Sequence, residues 1–178
     1  MPVDKSLFIK KFQEGPRSSL ITRSRRMGKS LNLSMLHHFF ASEVYGEPTK
    51  GLFDKFAIAQ VDNGKFLKKH QGQYPVIAIS FKDIKENNFD DALEKLKSLV
   101  AELYRQHEHL VASSKVTPSM KKIFNTYLMQ ESTPKALENS LKFLMEFLHK
   151  VYDKKVIVLI DEYDSPLTSA YNYNYLEE

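Results

Sequence analysis

The sequence predicts an α/β protein with a parallel sheet flanked by helices. Two segments carry this prediction, because residues 74–81 and 155–161 are strand-length runs that are rich in apolar residues. Runs that are apolar on both faces are typical of parallel strands covered by helices. Between these two runs the apolar residues recur at helical spacing, which indicates a sizeable helical insertion or a long crossover.

The first half of the chain predicts one strand and one helix before residue 74. Residues 18–23 have the pattern of a short strand that follows a Gly-Pro turn. Residues 31–41 predict a helix with one buried face. That face is formed by Leu31, Met35, Leu36, Phe39 and Phe40. Residues 45–51 contain glycine and proline and predict a loop.

Three helices are predicted over about residues 88–152. The first follows Asn88, which is a candidate N-cap. The other two begin at Thr117 and Thr133, each of which precedes a proline at the first helical position. These helices form an insertion between the two strand-length runs.

Composition narrows the possible functions. The chain has 178 residues, a formal net charge of +4 and no cysteine, which excludes disulfides, thiolate zinc sites and a cysteine nucleophile. The longest aliphatic run is residues 156–160, far short of the roughly 20 apolar residues of a membrane span. We therefore expect a soluble, cytoplasmic protein without a membrane partner. The mild charge alone does not argue for nucleic acid.

A candidate phosphate-binding loop precedes the first predicted helix. Residues 23–30 read RSRRMGKS and end like the second half of a P-loop. In such a turn the backbone amides face one phosphate at the positive end of the following helix. Lys29 would reach the β- and γ-phosphates, and Ser30 would give its hydroxyl to Mg²⁺. The residues predicted to bind nucleotide are Arg26, Met27, Gly28, Lys29, Ser30 and Leu31.

The loop departs from the usual pattern at one position. Arg23 stands where the first glycine of a P-loop is expected. An ordinary basic turn capped by serine is therefore a competing interpretation of the same segment. The neighbouring arginines could add charge to a polyphosphate site or could form a solvated basic surface.

An acid pair follows the most apolar run of the chain. Asp161 and Glu162 come directly after residues 156–160. Ligands of open α/β sheets bind at the carboxyl ends of the strands. Asp161 could hold Mg²⁺, and Glu162 could orient or deprotonate the attacking water. A strand that simply ends in a polar loop is the alternative. If both interpretations are right, we expect the loop and the acid pair to meet around one nucleoside triphosphate and its cation.

Four segments in order resemble the bacterial AAA-ATPase-like family. They are residues 3–9 (VDKSLFI), 20–36 (LITRSRRMGKSLNLSML), 74–83 (YPVIAISFKD) and 155–167 (KVIVLIDEYDSPL). That family also lacks the first P-loop glycine. The resemblance implies a P-loop ATPase core with a catalytic glutamate beside a metal-holding aspartate. It implies ATP and Mg²⁺ as cofactors and, in many members, a following nuclease-like domain of the PD-(D/E)XK type.

The predicted function is an ATP-binding P-loop domain with potential Mg²⁺-dependent hydrolysis. The chain stops soon after Glu162. The resemblance places a further strand and a later arginine beyond that point. It therefore implies a single P-loop domain over residues 1–178 that is incomplete at its C-terminus, and we expect weak or absent turnover. One alternative is a non-hydrolysing protein-interaction module that presents the helical insertion. The other is a nucleic-acid-associated accessory domain that acts through the basic loop. Asp4 and Lys5 lie in the resembling segment, but the sequence assigns them no chemical role.

Overall fold

A computed structural model describes residues 3–21 and 28–177. The described residues form a mixed α/β fold with eight α-helices and two small sheets of two strands each. The chain divides into two compact units, Met1–Val76 and Ile77–Glu178. None of the helices in the described part of the chain is long and apolar enough to cross a membrane.

The first unit is mainly helical. Its elements are α1 (Leu7–Glu14), α2 (Lys29–Phe40), β1 (Glu43–Val44), β2 (Glu47–Pro48), a 3₁₀ segment (Ala57–Gly64) and α3 (Lys65–His70). β1 and β2 pair antiparallel around Tyr45 and Gly46, whose φ angles are 53° and 83°. Two consecutive left-handed residues suit a type I′ hairpin turn. The segment predicted as a loop is therefore a tight hairpin.

Aromatic side chains at the end of α2 form the core of the first unit. Phe39 and Phe40 are fully buried. The Phe39 ring lies 5.1 Å from that of Phe53 and 6.1 Å from that of Phe66, measured between centroids. The Phe40 ring lies 5.5 Å from that of Tyr74. Because burying each aromatic ring contributes about 1.5–3 kcal/mol, the C-terminal half of α2 is firmly anchored.

The second unit places four helices between two paired strands. Its elements are β3 (Val76–Ser80), which begins at the boundary between the units, α4 (Phe89–Arg105), a 3₁₀ turn (Glu108–Ala112), α5 (Pro118–Leu128), α6 (Pro134–Leu137), α7 (Ser140–Tyr152), β4 (Ile157–Asp161) and α8 (Ser165–Asn172). The Phe81 N–H donates to the Asp161 carbonyl at 3.1 Å. The carboxyl ends of β3 and β4 therefore lie side by side, and the two strands are parallel. The strands predicted over residues 74–81 and 155–161 are confirmed, with shorter bounds.

Three helices of the second unit have the N-caps that the sequence predicts. Asn88, Thr117 and Thr133 accept hydrogen bonds from the backbone N–H groups three residues further on, at 2.9, 3.3 and 3.2 Å. Each cap satisfies one of the N–H groups that the first turn of a helix leaves unpaired. The predicted helix starts are therefore confirmed.

A cluster of rings and leucines forms the core of the second unit. Tyr104, Phe124 and Phe147 are fully buried, and the Phe124 ring lies 4.8 Å from each of the other two rings. The Tyr104 hydroxyl donates to the Ser140 carbonyl at 2.8 Å. Burial raises the pKa of Tyr104, so its phenol stays protonated and keeps this bond between α4 and α7 at any ordinary pH.

Two predicted elements differ from the structure. Residues 18–21 form no strand, and the rest of the predicted strand lies outside the described residues. Leu20 is 69% exposed, and a strand without a paired neighbour and a buried face is not stable. The helix predicted after Thr133 is divided into α6 and α7, because the Asn139 N–H bonds to the Ala136 carbonyl and closes a turn between them.

Candidate functional site

The helix α2 begins at a glycine with a left-handed backbone. Gly28 precedes the helix with φ 75° and ψ 29°, a left-handed conformation that glycine adopts without strain. Its carbonyl accepts the Asn32 N–H at 3.0 Å and closes the first turn. The N–H groups of residues 28–31 therefore have no acceptor within the helix.

No described side chain neutralises this end of α2. The first turn contains no acidic residue, and no side chain caps it. This differs from α4 and α5, which carry side-chain caps. Lys29 and Ser30 are the first two residues of α2, so a cation and a hydroxyl accompany the unpaired N–H groups. This combination favours an anion with several oxygen atoms.

The structure describes only one of the remaining residues of the predicted loop, which are Arg26, Met27 and Leu31. Arg26 and Met27 lie outside the described residues. Leu31 was expected on the buried face of α2, and this expectation is wrong, because the side chain is 68% exposed. The face that α2 buries is formed by Asn32, Leu36, Phe39 and Phe40. These positions follow the helical spacing of four, three and one, which leaves Leu31 on the adjoining exposed side.

Asp4 and Ser6 connect the N-terminal segment to the 3₁₀ segment by hydrogen bonds. The Asp4 carboxylate accepts the Ala57 N–H at 2.7 Å and the Ser6 N–H at 2.8 Å. The Ser6 hydroxyl accepts the Ile58 N–H at 3.0 Å. These bonds satisfy the unpaired N–H groups at the start of the 3₁₀ segment. Hydrogen bonds from Ala57 and then Ser6 lower the pKa of Asp4, because they favour the charged carboxylate.

Lys5 is the residue that sequence reasoning missed. Its ammonium nitrogen lies 3.8 Å from the position that a Cβ on Gly28 would occupy. A second lysine therefore stands next to the start of α2. Lys5 follows Asp4 directly, so the bonds of Asp4 hold the backbone that carries Lys5. The resembling segment VDKS was the only signal for this arrangement in the sequence.

A cavity of about 600 Å³ opens between the N-terminal segment and α2. Its lining includes the polar side chains of Asp4, Lys5 and Asn32 and the apolar side chains of Met35, Phe53 and Phe56. Small-molecule sites are cavities of roughly 300–1,000 Å³ with mostly apolar walls and a few polar groups. This cavity has the size and the composition of such a site.

Asp4→Asn should make the first unit less stable at neutral pH. The pKa of Asp4 is lowered by folding, so its contribution is present above the unfolded pKa of about 4 and is lost as the pH falls through the lower folded pKa. We expect a decrease of about 2–4 °C in the melting temperature at pH 7 and a smaller difference at pH 3. Thermal unfolding of both proteins at the two pH values checks this. An equal decrease at both pH values would contradict it.

The acid pair of the second unit lies at the carboxyl end of the parallel strands, as predicted. Asp161 ends β4, and Glu162 follows it. The Asp161 carboxylate accepts the Glu162 N–H at 3.1 Å. The Glu162 carbonyl accepts the Ser165 N–H at 3.0 Å at the start of α8. Both residues are half-buried in the turn between β4 and α8.

Glu162 has an unusual backbone conformation. Its φ is 51°, in the left-handed region that disfavours residues with a Cβ by roughly 1–2 kcal/mol. Such residues persist only where the surroundings impose the conformation, and they concentrate at functional sites. The turn that carries Glu162 is therefore a candidate for catalytic use.

The oxygen donors predicted for Mg²⁺ suit that metal. Ser30 offers a hydroxyl and Asp161 a carboxylate, and Mg²⁺ prefers oxygen ligands. Within residues 3–21 and 28–177, no three His, Asp or Glu side chains are grouped as a metal site. That observation does not conflict with nucleotide-bound Mg²⁺, because such an ion takes one or two protein ligands and completes its shell with phosphate and water.

The chain is thus an α/β protein in which one helix begins at a Gly-Lys-Ser sequence. Two acidic residues follow one of its parallel strands. The AAA-ATPase-like family, described as "Predicted AAA-ATPase", matches residues 1–178. The chain belongs to this family, which confirms the resemblance noted in the sequence. No curated protein and no solved structure matches the chain significantly.

Proposed function

We propose that the chain binds ATP and Mg²⁺ at the start of α2. The observation that carries this proposal is the left-handed Gly28 followed directly by Lys29 and Ser30 in the first helical turn. Unpaired N–H groups, a lysine and a hydroxyl are then available at the positive end of one helix. A nucleoside triphosphate with its Mg²⁺ can use all three groups.

Each group at this helix start has a separate role in the proposal. The N–H groups of Gly28, Lys29, Ser30 and Leu31 donate to phosphate oxygens. The Lys29 ammonium contacts the β- and γ-phosphates, and the Ser30 hydroxyl is a ligand of Mg²⁺. When bound, Mg²⁺ neutralises part of the triphosphate charge.

The acid pair supplies the proposed hydrolytic chemistry. Asp161 would hold Mg²⁺, and Glu162 accepts a proton from the attacking water. The water oxygen forms a bond to the γ-phosphorus, while the bond from that phosphorus to the β-γ bridging oxygen breaks and ADP leaves. Glu162 is a half-buried residue with a constrained backbone. Both features support this role, since a fixed base needs little reorganisation.

Lys29→Ala tests the phosphate site. Loss of a charge-assisted contact to phosphate should weaken MgATP binding by about 10- to 100-fold. Isothermal calorimetry with the full chain measures this. Lys142→Ala is a matched control, because Lys142 is an exposed lysine in the first turn of α7. Unchanged ATP affinity in Lys29→Ala would refute the proposed phosphate site.

A further inference from the structure

Three exposed lysines lie on one side of α3 and form a surface that we name the α3 lysine face. They are Lys65, Lys68 and Lys69, and spacings of three and four residues make them neighbours on the helix. α3 itself contains no acidic residue. Within the described part of the chain, none of the three lysines forms an ion pair. The positive charge of this face is therefore not neutralised by its neighbours.

The residues on either side of α3 leave this charge in place. The acid that precedes α3 most closely in the sequence is Asp62, and its carboxylate lies 3.7 Å from the Lys10 ammonium. The Gln71 side-chain amide donates to the Thr49 carbonyl at 3.0 Å, which brings the exposed Lys50 next to the end of α3. The preceding acid is thus already paired, and a fourth lysine lies close to the face.

The stability of α3 does not account for the α3 lysine face. Lysines in the last turn of a helix interact favourably with the negative end of its dipole, which explains Lys68 and Lys69. Lys65 is the first residue of α3, where the dipole disfavours a cation. Like charges at these spacings also repel each other. The face would therefore be stabilised by a negative ligand.

The charge of the sequence is concentrated in the first unit. Residues 1–76 contain 13 lysines and arginines and 6 acidic residues, whereas residues 77–178 contain 13 and 16. Such asymmetry between two parts of a chain is typical of proteins that bind nucleic acid or an anionic membrane. The α3 lysine face lies in the positively charged part.

The apolar residues of α3 favour nucleic acid over the other anionic partners. A helix that binds a membrane surface exposes apolar side chains beside its lysines, and the centre of a protein interface is largely apolar. Phe66 is 6% exposed and Leu67 is half-buried, so α3 offers neither surface. Binding to a phosphate backbone needs only cations, and neighbouring lysines can contact successive phosphates.

We propose that the α3 lysine face binds the phosphate backbone of a nucleic acid without preference for base sequence. Lys65, Lys68 and Lys69 each contact a phosphate, and Lys50 adds charge beside them. The proposal uses none of the residues assigned to the ATP site, so either site can fail without the other.

Fluorescence anisotropy of the full chain with short labelled oligonucleotides tests this proposal. The probes are single-stranded DNA, duplex DNA and single-stranded RNA, each titrated at several salt concentrations. The wild-type affinity for at least one probe should fall steeply as salt rises. Combined Lys65→Ala, Lys68→Ala and Lys69→Ala should weaken that binding by about 10- to 100-fold at low salt. It should also reduce the slope of log affinity against log salt by roughly 2–3, equally for different base sequences.

A matched triple variant removes the same charge from the second unit. Lys135, Lys142 and Lys150 are exposed lysines of α6 and α7. Combined Lys135→Ala, Lys142→Ala and Lys150→Ala should leave the affinity and the salt slope unchanged. Equal losses in the two triple variants would make the binding an effect of net charge and overturn the proposal.

A single substitution keeps the test decisive if the triple variant of α3 does not fold. Lys65→Ala alone should reduce the salt slope by about 1, because it removes one phosphate contact. Circular dichroism shows whether each variant is folded. An unchanged slope in folded Lys65→Ala would contradict the assigned contact.

Three further results would overturn the proposal. The first is no binding of any oligonucleotide at low salt. The second is unchanged binding in the folded α3 variant together with a loss in combined Arg25→Ala and Arg26→Ala, which would assign the nucleic acid to the basic loop. The third is lysine-dependent sedimentation with vesicles of anionic lipid and no oligonucleotide binding, which would assign the face to a membrane.

Discussion

Glu162→Gln is expected to lower the rate of ATP hydrolysis by about 100-fold or more, because general-base catalysis contributes roughly 10²–10⁴. Glutamine keeps the size of the side chain but cannot take up the proton of the attacking water. The affinity for MgATP should change little, since the proposed phosphate contacts lie at the start of α2. ADP formation in a single turnover, with protein in excess over ATP, measures the rate even when turnover is slow.

The control for this substitution is Glu146→Gln, which changes an exposed glutamate of α7. It should leave hydrolysis and binding unchanged. Equal rates in wild type and Glu162→Gln would contradict the catalytic role. A wild-type chain that binds ATP but forms no ADP would favour the non-hydrolysing interaction module, which the sequence left open.

Phe124→Ala should destabilise the second unit by about 3–5 kcal/mol, the usual range for removing a buried phenylalanine. Phe124 is fully buried, with its ring 4.8 Å from those of Tyr104 and Phe147. The substitution removes contacts on both sides and leaves a cavity between three helices. Denaturant unfolding followed by circular dichroism gives the change in free energy.

The adjacent residue of α5 supplies a matched comparison. Ile123 is 39% exposed, so Ile123→Ala should cost less than about 1.5 kcal/mol on the same helix. This pair separates the loss of core packing from any effect of alanine on helix propensity, which favours alanine in both cases. Similar losses for the two substitutions would show that the cluster around Phe124 is not the core.

Features that depend on neighbouring residues could be predicted from the sequence. The caps Asn88, Thr117 and Thr133 bond to backbone only three residues away, so a short pattern contains the whole interaction. The strand that ends at Asp161 was predicted for the same reason, because its apolar run and its acid are contiguous.

Features that depend on distant contacts could not be predicted. The hydrogen bond between Asp4 and Ala57 joins residues that are 53 positions apart in the sequence, and no local sequence pattern predicts it. The strand expected over residues 18–23 depended on a neighbouring strand that a linear sequence does not specify. At the candidate site, helical spacing alone placed Leu31 inside, whereas Asn32 holds the buried position. The packing of Phe39 and Phe40 determines the rotation of α2 about its axis and therefore which of its faces is buried.

The left-handed backbone of Glu162 has a consequence for protein engineering. Glycine at this position would relieve a strain of roughly 1–2 kcal/mol, and the greater freedom of the unfolded chain would offset only part of that gain. A library screened for heat resistance would thus enrich variants that have lost the carboxylate. Given the proposed catalytic role of Glu162, heat resistance and turnover would then be selected in opposite directions at a single codon.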